Sequence, residues 1–174
     1  MENAKYTPID TELVERAITG DIDAFAALYE TIYKDMYRLA LYITRDRQDA
    51  EDAVAETVAD AYSSIGSLRQ PEAFRGWIFR ILSIKCKRLF RESFENLTDP
   101  EEMPDIADES VSIADSAGIR DLFFTLEDVD RTILSMHIFG GYKSHEIAEC
   151  LEMSAATVRS RQARALAKLR SMMA

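Results

Sequence analysis

The sequence predicts an all-α protein built as two small helical domains joined by a flexible acidic linker. Three observations carry this prediction: apolar residues recur at helical spacing on both sides of residues 92–118, that stretch itself has no such spacing, and charge is distributed in blocks. Between Glu92 and Gly118 there are nine acids and no Lys or Arg, together with Pro100 and Pro104. Such a segment cannot bury enough apolar surface to order itself, and its like charges extend it. The formal net charge is -10, so the linker leaves only -1 for everything else. At 174 residues with 47% hydrophobic composition, the remainder is long and apolar enough for two cores.

The expected boundaries are a tail over 1–11, a first domain over 12–91, the linker over 92–118 and a second domain over 119–174. In the first domain Phe25, Tyr29, Ile32, Met36, Ala40 and Ile43 recur at three- and four-residue intervals, with Asp21 or Asp23 available as a cap. A second helix starts near Asp49 and buries Ala50, Ala53, Val54, Thr57, Val58 and Ala61. Its other face carries Glu51, Asp52, Glu56 and Asp60, either as a solvated surface or as a docking surface for a basic partner. Gly66 and Pro71 mark a loop, and Pro71 suits a first helical turn.

The next helix, EAFRGWIFRILSIKCKRLFR, holds six basic residues and no acid from Arg75 to Arg91. Helical projection puts Phe74, Trp77, Ile78, Ile81, Leu82 and Leu89 on the core side and leaves Phe79 and Phe90 outside it. Rings among cations suit stacked bases and a phosphate backbone, and equally suit packing against a neighbouring helix.

Beyond the linker, Val129, Ile133 and Met136 give a helix from about Glu127 to Ile138, ended by Gly140-Gly141. A short amphipathic segment with Ile147, Ala148 and Leu151 follows, then the turn Glu152-Met153-Ser154, with Ser154 as N-cap of the last helix. Two helices across such a turn form a helix-turn-helix. Many such turns place Gly where Glu152 stands. From Ala155 to Arg170 the last helix has five basic residues and no acid. Val158, Gln162, Ala165, Leu166 and Leu169 share one arc, Thr157, Ser160, Arg161, Arg164 and Lys168 the opposite one, and Arg159 and Arg170 lie at the edge. Taken alone, that polar face is either solvated or suited to phosphates and base edges.

Several classes are excluded by composition. The N-terminal residues lack an apolar signal core, and the longest uncharged apolar run, AFAALY, is too short to span a bilayer, so no membrane insertion is expected. Cys86 and Cys150 stand alone, which fits reduced thiols in a cytoplasmic protein. His137 and His145 lack metal-ligand spacing, and no nucleophile-base pattern or phosphate loop occurs. No enzymatic activity, metal or cofactor is therefore expected.

The order LYETIYKDMYRLALYITRDRQDAEDAVAETVADAY, FRGWIFRI, an acidic linker and SHEIAECLEMSAATVRSRQARALAKLR resembles the extracytoplasmic-function sigma factors of bacterial RNA polymerase, within the sigma-70 family. The resemblance runs from about Glu12 to Arg170. It implies that the first domain is sigma region 2, a helical bundle that grips core polymerase and opens the minus-ten element, and that the second is region 4, which reads the minus-thirty-five element. By resemblance, Asp49, Asp52, Ala53 and Glu56 would dock on the clamp coiled coil of the largest subunit, and the second domain on the flap of the second-largest. Ser67, Arg69, Arg75, Phe79, Arg80, Lys87, Arg88 and Arg91 would contact the melted minus-ten strand. Ser154, Thr157, Arg159, Ser160, Arg161, Arg164 and Lys168 would contact the minus-thirty-five duplex. The linker would thread channels used by nucleic acid, its carboxylates standing in for phosphates. The implied role is promoter-specific initiation in response to a stress or envelope signal, under an anti-sigma factor that is often tethered to the membrane. Ile84 departs from the Asn that many members carry. The rival readings are a helix-turn-helix regulator acting without polymerase and a sigma-like decoy that binds polymerase without initiating.

Overall fold

The computed structural model describes residues 7–96 and 117–174, with the side chains of residues 90–96 and 117 left aside. Eight α-helices and two short 3-10 turns make up the described secondary structure, with no strand among the described residues. The expected tail up to Tyr6 and most of the acidic linker lie outside the described residues.

Helix α1 (Thr11–Ile18) starts on Asp10, whose side chain accepts from the backbone N–H groups of Glu12 and Leu13. It buries Val14 and Ala17, one turn apart. Helix α2 (Ile22–Thr44) is capped by Asp21 through the Ala24 N–H, and α3 (Arg47–Ser64) by Asp46 through the Asp49 N–H. Each Asp satisfies a donor that the first turn leaves unpaired. The 3-10 turns Ile65–Ser67 and Pro71–Ala73 lead into α4 (Phe74–Asn96), which continues past the expected end at Arg91. Helix α2 packs against α1, α3 and α4, forming the first bundle.

In the second half α5 (Ala117–Phe124) precedes α6 (Asp128–Ile138), α7 (Ser144–Leu151) and α8 (Ala155–Met173). Glu152 ends α7 with φ 55 and ψ 45, the left-handed conformation that a tight turn between two helices demands. Gly140 admits the turn before α7 because any Cβ there would lie 2.6 Å from the Tyr142 ring and 2.7 Å from the Met136 carbonyl oxygen.

Two cores result, and both cross between the halves. Ile133, Met136, Tyr142, Ile147, Ala148 and Val158 share a buried cluster with the residues of α1 to α4. Tyr42 of α2 enters the other, among Phe123, Leu126, Leu134, Ala165 and Leu169. Its ring stacks on Phe139 at 5.1 Å with an interplanar angle of 3°. Helices α6 and α7 therefore lie on α2 and α4, a contact that no local pattern in the sequence announces.

Candidate nucleic-acid interface

The Ser154 Oγ accepts from the Thr157 N–H at 3.0 Å, fixing the start of α8 as the sequence predicts. Val158, Gln162, Ala165 and Leu169 face inward. Thr157, Arg159, Ser160 and Arg164 are exposed, so this part of the predicted contact set stands together on the open side of the helix. Arg161 and Lys168 are turned elsewhere. The Arg161 Nη1 donates to Asp130 Oδ1 at 2.8 Å and lies 3.6 Å from Glu127 Oε2, while the Lys168 Nζ donates to the Thr125 carbonyl at 3.1 Å. Asp130 and Glu127 hold the Arg161 guanidinium above its ordinary proton affinity, chiefly through the Asp130 hydrogen bond.

The cations of α4 divide among α3, α2 and the second half. Toward α3, Lys85 pairs with Asp60 at 2.7 Å and Glu56 at 3.3 Å, and Arg88 pairs with Glu56 at 3.1 Å. The Asp60 contact, reinforced by Glu56, raises the Lys85 ammonium above its usual value. The Arg75 Nη2 donates to Asp35 Oδ2 of α2 at 2.9 Å and, toward the second half, to the Phe139 carbonyl at 2.8 Å. The Lys87 Nζ donates to the Cys150 carbonyl at 3.0 Å, and Arg80 lies 3.8 Å from Glu149. Three residues expected to hold the melted strand are thus engaged by α6, α7 and the segments beside them.

Phe79 and Trp77 depart from the expected arc. Phe79 is fully buried: its ring lies under the Arg75 guanidinium, 4.6 Å away, and cannot offer a face to a base in this structure. Phe79 lies inside because α4 packs against α7 as well as α2 and α3, which widens and rotates the buried arc through Phe79, Ser83 and Cys86. Trp77, expected inside, is correspondingly only half-buried. Ala53 is fully buried, as the helical periodicity predicts, so it would shape the surface of α3 only from beneath, while Asp52 and Glu56 are exposed and Asp49 is half-buried. Ser67 and Arg69 are exposed, with the Ser67 hydroxyl donating to the Ser64 carbonyl at 2.7 Å. The Arg91 side chain lies outside the described residues.

Other residues that no sequence motif marks also shape the interface. Arg131 is fully buried and donates to the carbonyls of Tyr42 at 2.7 Å and Leu126 at 3.1 Å, and to Asp128. Burial pushes its proton affinity down, against the pull of Asp128. Tyr142 and Ser83 meet by their hydroxyls at 3.2 Å. Nothing short of the tertiary contacts distinguishes Arg131 from the exposed arginines, because its neighbours in sequence are Asp130 and Thr132. Cys86 is buried and Cys150 half-buried, both free, and burial raises both thiols above the ordinary value. Among the described residues no helix is long and apolar enough to cross a membrane. Between the halves a cleft of about 220 Å³ is lined by Ile43, Ile84, Lys87, Val129, Cys150 and Met153, among others.

Comparison with known proteins gives two family matches. The family described as Sigma-70 region 2 matches residues 28–93, and that described as Sigma-70, region 4 matches residues 122–171. The ECF RNA polymerase sigma factor SigM of Mycobacterium tuberculosis is 29% identical over 161 residues, covering 92% of this chain and 82% of that protein. SigL of the same species, also an ECF RNA polymerase sigma factor, is 30% identical over 168 residues, covering 88% and 93%. The fold is shared with the sigma factor RpoE of Bartonella quintana, solved in complex with the anti-sigma factor NepR. That match has a TM-score of 0.65 and 19% identity, covering 87% of this chain and 98% of that one.

Proposed function

Because the chain belongs to the extracytoplasmic-function sigma factors of the sigma-70 family, we propose that it binds core RNA polymerase and directs initiation at promoters carrying two spaced elements. The observation that carries this reading is the joint presence, in one chain, of a region 2 bundle and a region 4 helix-turn-helix whose recognition helix keeps Arg159, Ser160 and Arg164 open. Residues 12–91 and 119–174 are the two working domains, with 92–118 as the linker between them.

The α3 acids Asp49, Asp52 and Glu56 supply negative charge for the clamp coiled coil, and the second domain meets the flap. The loop with Ser67 and Arg69, followed by Arg75, Arg80, Lys87 and Arg88 of α4, receives the melted minus-ten strand. Unpairing costs a few kcal/mol, and base contacts and cations on the nontemplate strand offset it. Helix α8 enters the major groove, where arginine reaches guanine through two hydrogen bonds. In the described packing Arg75, Arg80 and Lys87 are engaged by the second half. It is therefore a closed form, and promoter opening requires α6 and α7 to leave α4. An anti-sigma factor is the partner class that would act on this equilibrium.

Transcription in vitro tests the reading. Core bacterial polymerase with and without the protein transcribes fragmented genomic DNA of its source, and 5′ ends are sequenced. New start sites sharing two upstream elements are expected. Binding to core without new transcripts would favour a decoy, and sequence-specific duplex binding without any core binding would favour a conventional regulator.

A further inference from the structure

We propose that Arg161 is a positioning residue that clasps the recognition helix to α6, and that reading of the minus-thirty-five bases falls to Arg159, Ser160 and Arg164. The proposal rests on the assignment of α8 to the minus-thirty-five duplex.

Exposure and partners separate these residues more than helical phase does. At ~100° per residue, Ser160 points almost opposite the buried stripe of Val158, Gln162, Ala165 and Leu169. Around it stand Ala156, Ala163 and Ala167, all exposed and all small, so the helix can approach base edges closely there. Arg159 and Arg164 flank this low ridge, exposed and with no ion pair to any described residue. Arg161 lies about as far round from Ser160 as Arg159 does, on the other side, but there it meets α6, and its side chain is 27% exposed.

What holds it there belongs to the same half of the molecule. Asp130 lies in the first turn of α6 with a side chain only 16% exposed, and Glu127 stands at the cap of that helix. Lys168, two turns beyond Arg161, is fastened on the same flank to the Thr125 carbonyl. When α6 and α7 leave α4, these contacts travel with the second half unchanged. For Arg161 to reach a base it would have to abandon two carboxylates. Asp130 would then be left mostly buried and unpaired, close to the phosphates. Kept in place, the clasp neutralises that acid and sets the angle at which α8 leaves the turn.

The test uses full-length protein bound to core polymerase, transcribing a pool of promoters with a randomised minus-thirty-five element, with yields read by sequencing. Arg161→Ala and Asp130→Ala should each lower yield about three- to tenfold, evenly across sequences. The double variant should be no worse than either single one. Arg161→Lys should recover part of the loss, and Arg159→Ala or Arg164→Ala should change base preference at one or two positions. Asp130→Asn, which keeps the shape at the site, provides the same comparison if an alanine variant folds poorly, and circular dichroism melts follow folding throughout. Relaxed preference at one base pair in Arg161→Ala, with preference intact in the Asp130 variants, would make Arg161 a base reader and overturn the proposal. A wild-type protein that initiates without preference in the pool would instead remove the assignment of α8, and this proposal with it.

Discussion

The Nε of Arg131 donates to the Tyr42 carbonyl at 2.7 Å, so an arginine of α6 caps the C-terminal end of α2 across the boundary between the halves. Carbonyls in the last turn of a helix lack intrahelical partners and carry the negative end of its dipole. A buried guanidinium is a strong partner for them, and with Leu126 and Asp128 it is held from three sides.

Replacing Arg131 by Met keeps most of the stem volume but removes the charge and all these donors. Buried acceptors left without a partner cost far more than an exposed hydrogen bond is worth. Arg131→Met should destabilise the protein by about 3 kcal/mol. A urea titration followed by circular dichroism measures this, and a midpoint unchanged from wild type would show that water or a neighbour replaces the guanidinium.

Asp35 bears on access to α4. Its carboxylate and the Phe139 carbonyl share the Arg75 Nη2. Asp35→Asn keeps the shape and weakens the hold on Arg75 without removing the cation. Binding of the free protein to a single-stranded minus-ten oligonucleotide should strengthen by roughly threefold. Fluorescence anisotropy reads this directly, and no gain would mean that Arg75 engagement does not limit access.

Glu152 adopts φ 55 where many helix-turn-helix motifs place Gly. An L-residue pays a steric cost there that Gly does not. Glu152→Gly should therefore stabilise the second half by about 1 kcal/mol. Thermal melts would show a higher Tm, and a lower one would mean that the Glu152 side chain contributes more than its backbone strain removes.

Asp21 couples the fold to acid. The Ala24 N–H and then the Arg16 guanidinium hold its carboxyl below the ordinary aspartate value of 3.8. A lowered pKa in the folded state means that the unfolded chain binds the proton more readily. The stability Asp21 supplies is therefore present above 3.8 and is lost as pH falls through the lowered value. Asp21→Asn should be less stable than wild type at neutral pH, with the difference shrinking at the acid end. Urea midpoints across pH check the sign, and a difference that persisted into acid would assign the effect to geometry rather than charge.

The sequence by itself determined the all-helical class, the order of the helices in the family pattern, the start of α8 and that of α2 to within Asp21 or Asp23, because caps and apolar periodicity act within a turn or two of the chain. The same kind of signal marked α1, with Asp10 before Val14 and Ala17, though it was too short to stand out. Only the tertiary structure decided which cations are open. Arg75 and Arg161 look like Arg69 and Arg164 in sequence, yet the first two meet carboxylates brought from distant helices. Phe79 likewise changed sides because a second body packs on α4, and Arg131 became buried because the end of α2 needed donors. A side chain's helical phase is local, but its partner is whichever group the fold carries to it.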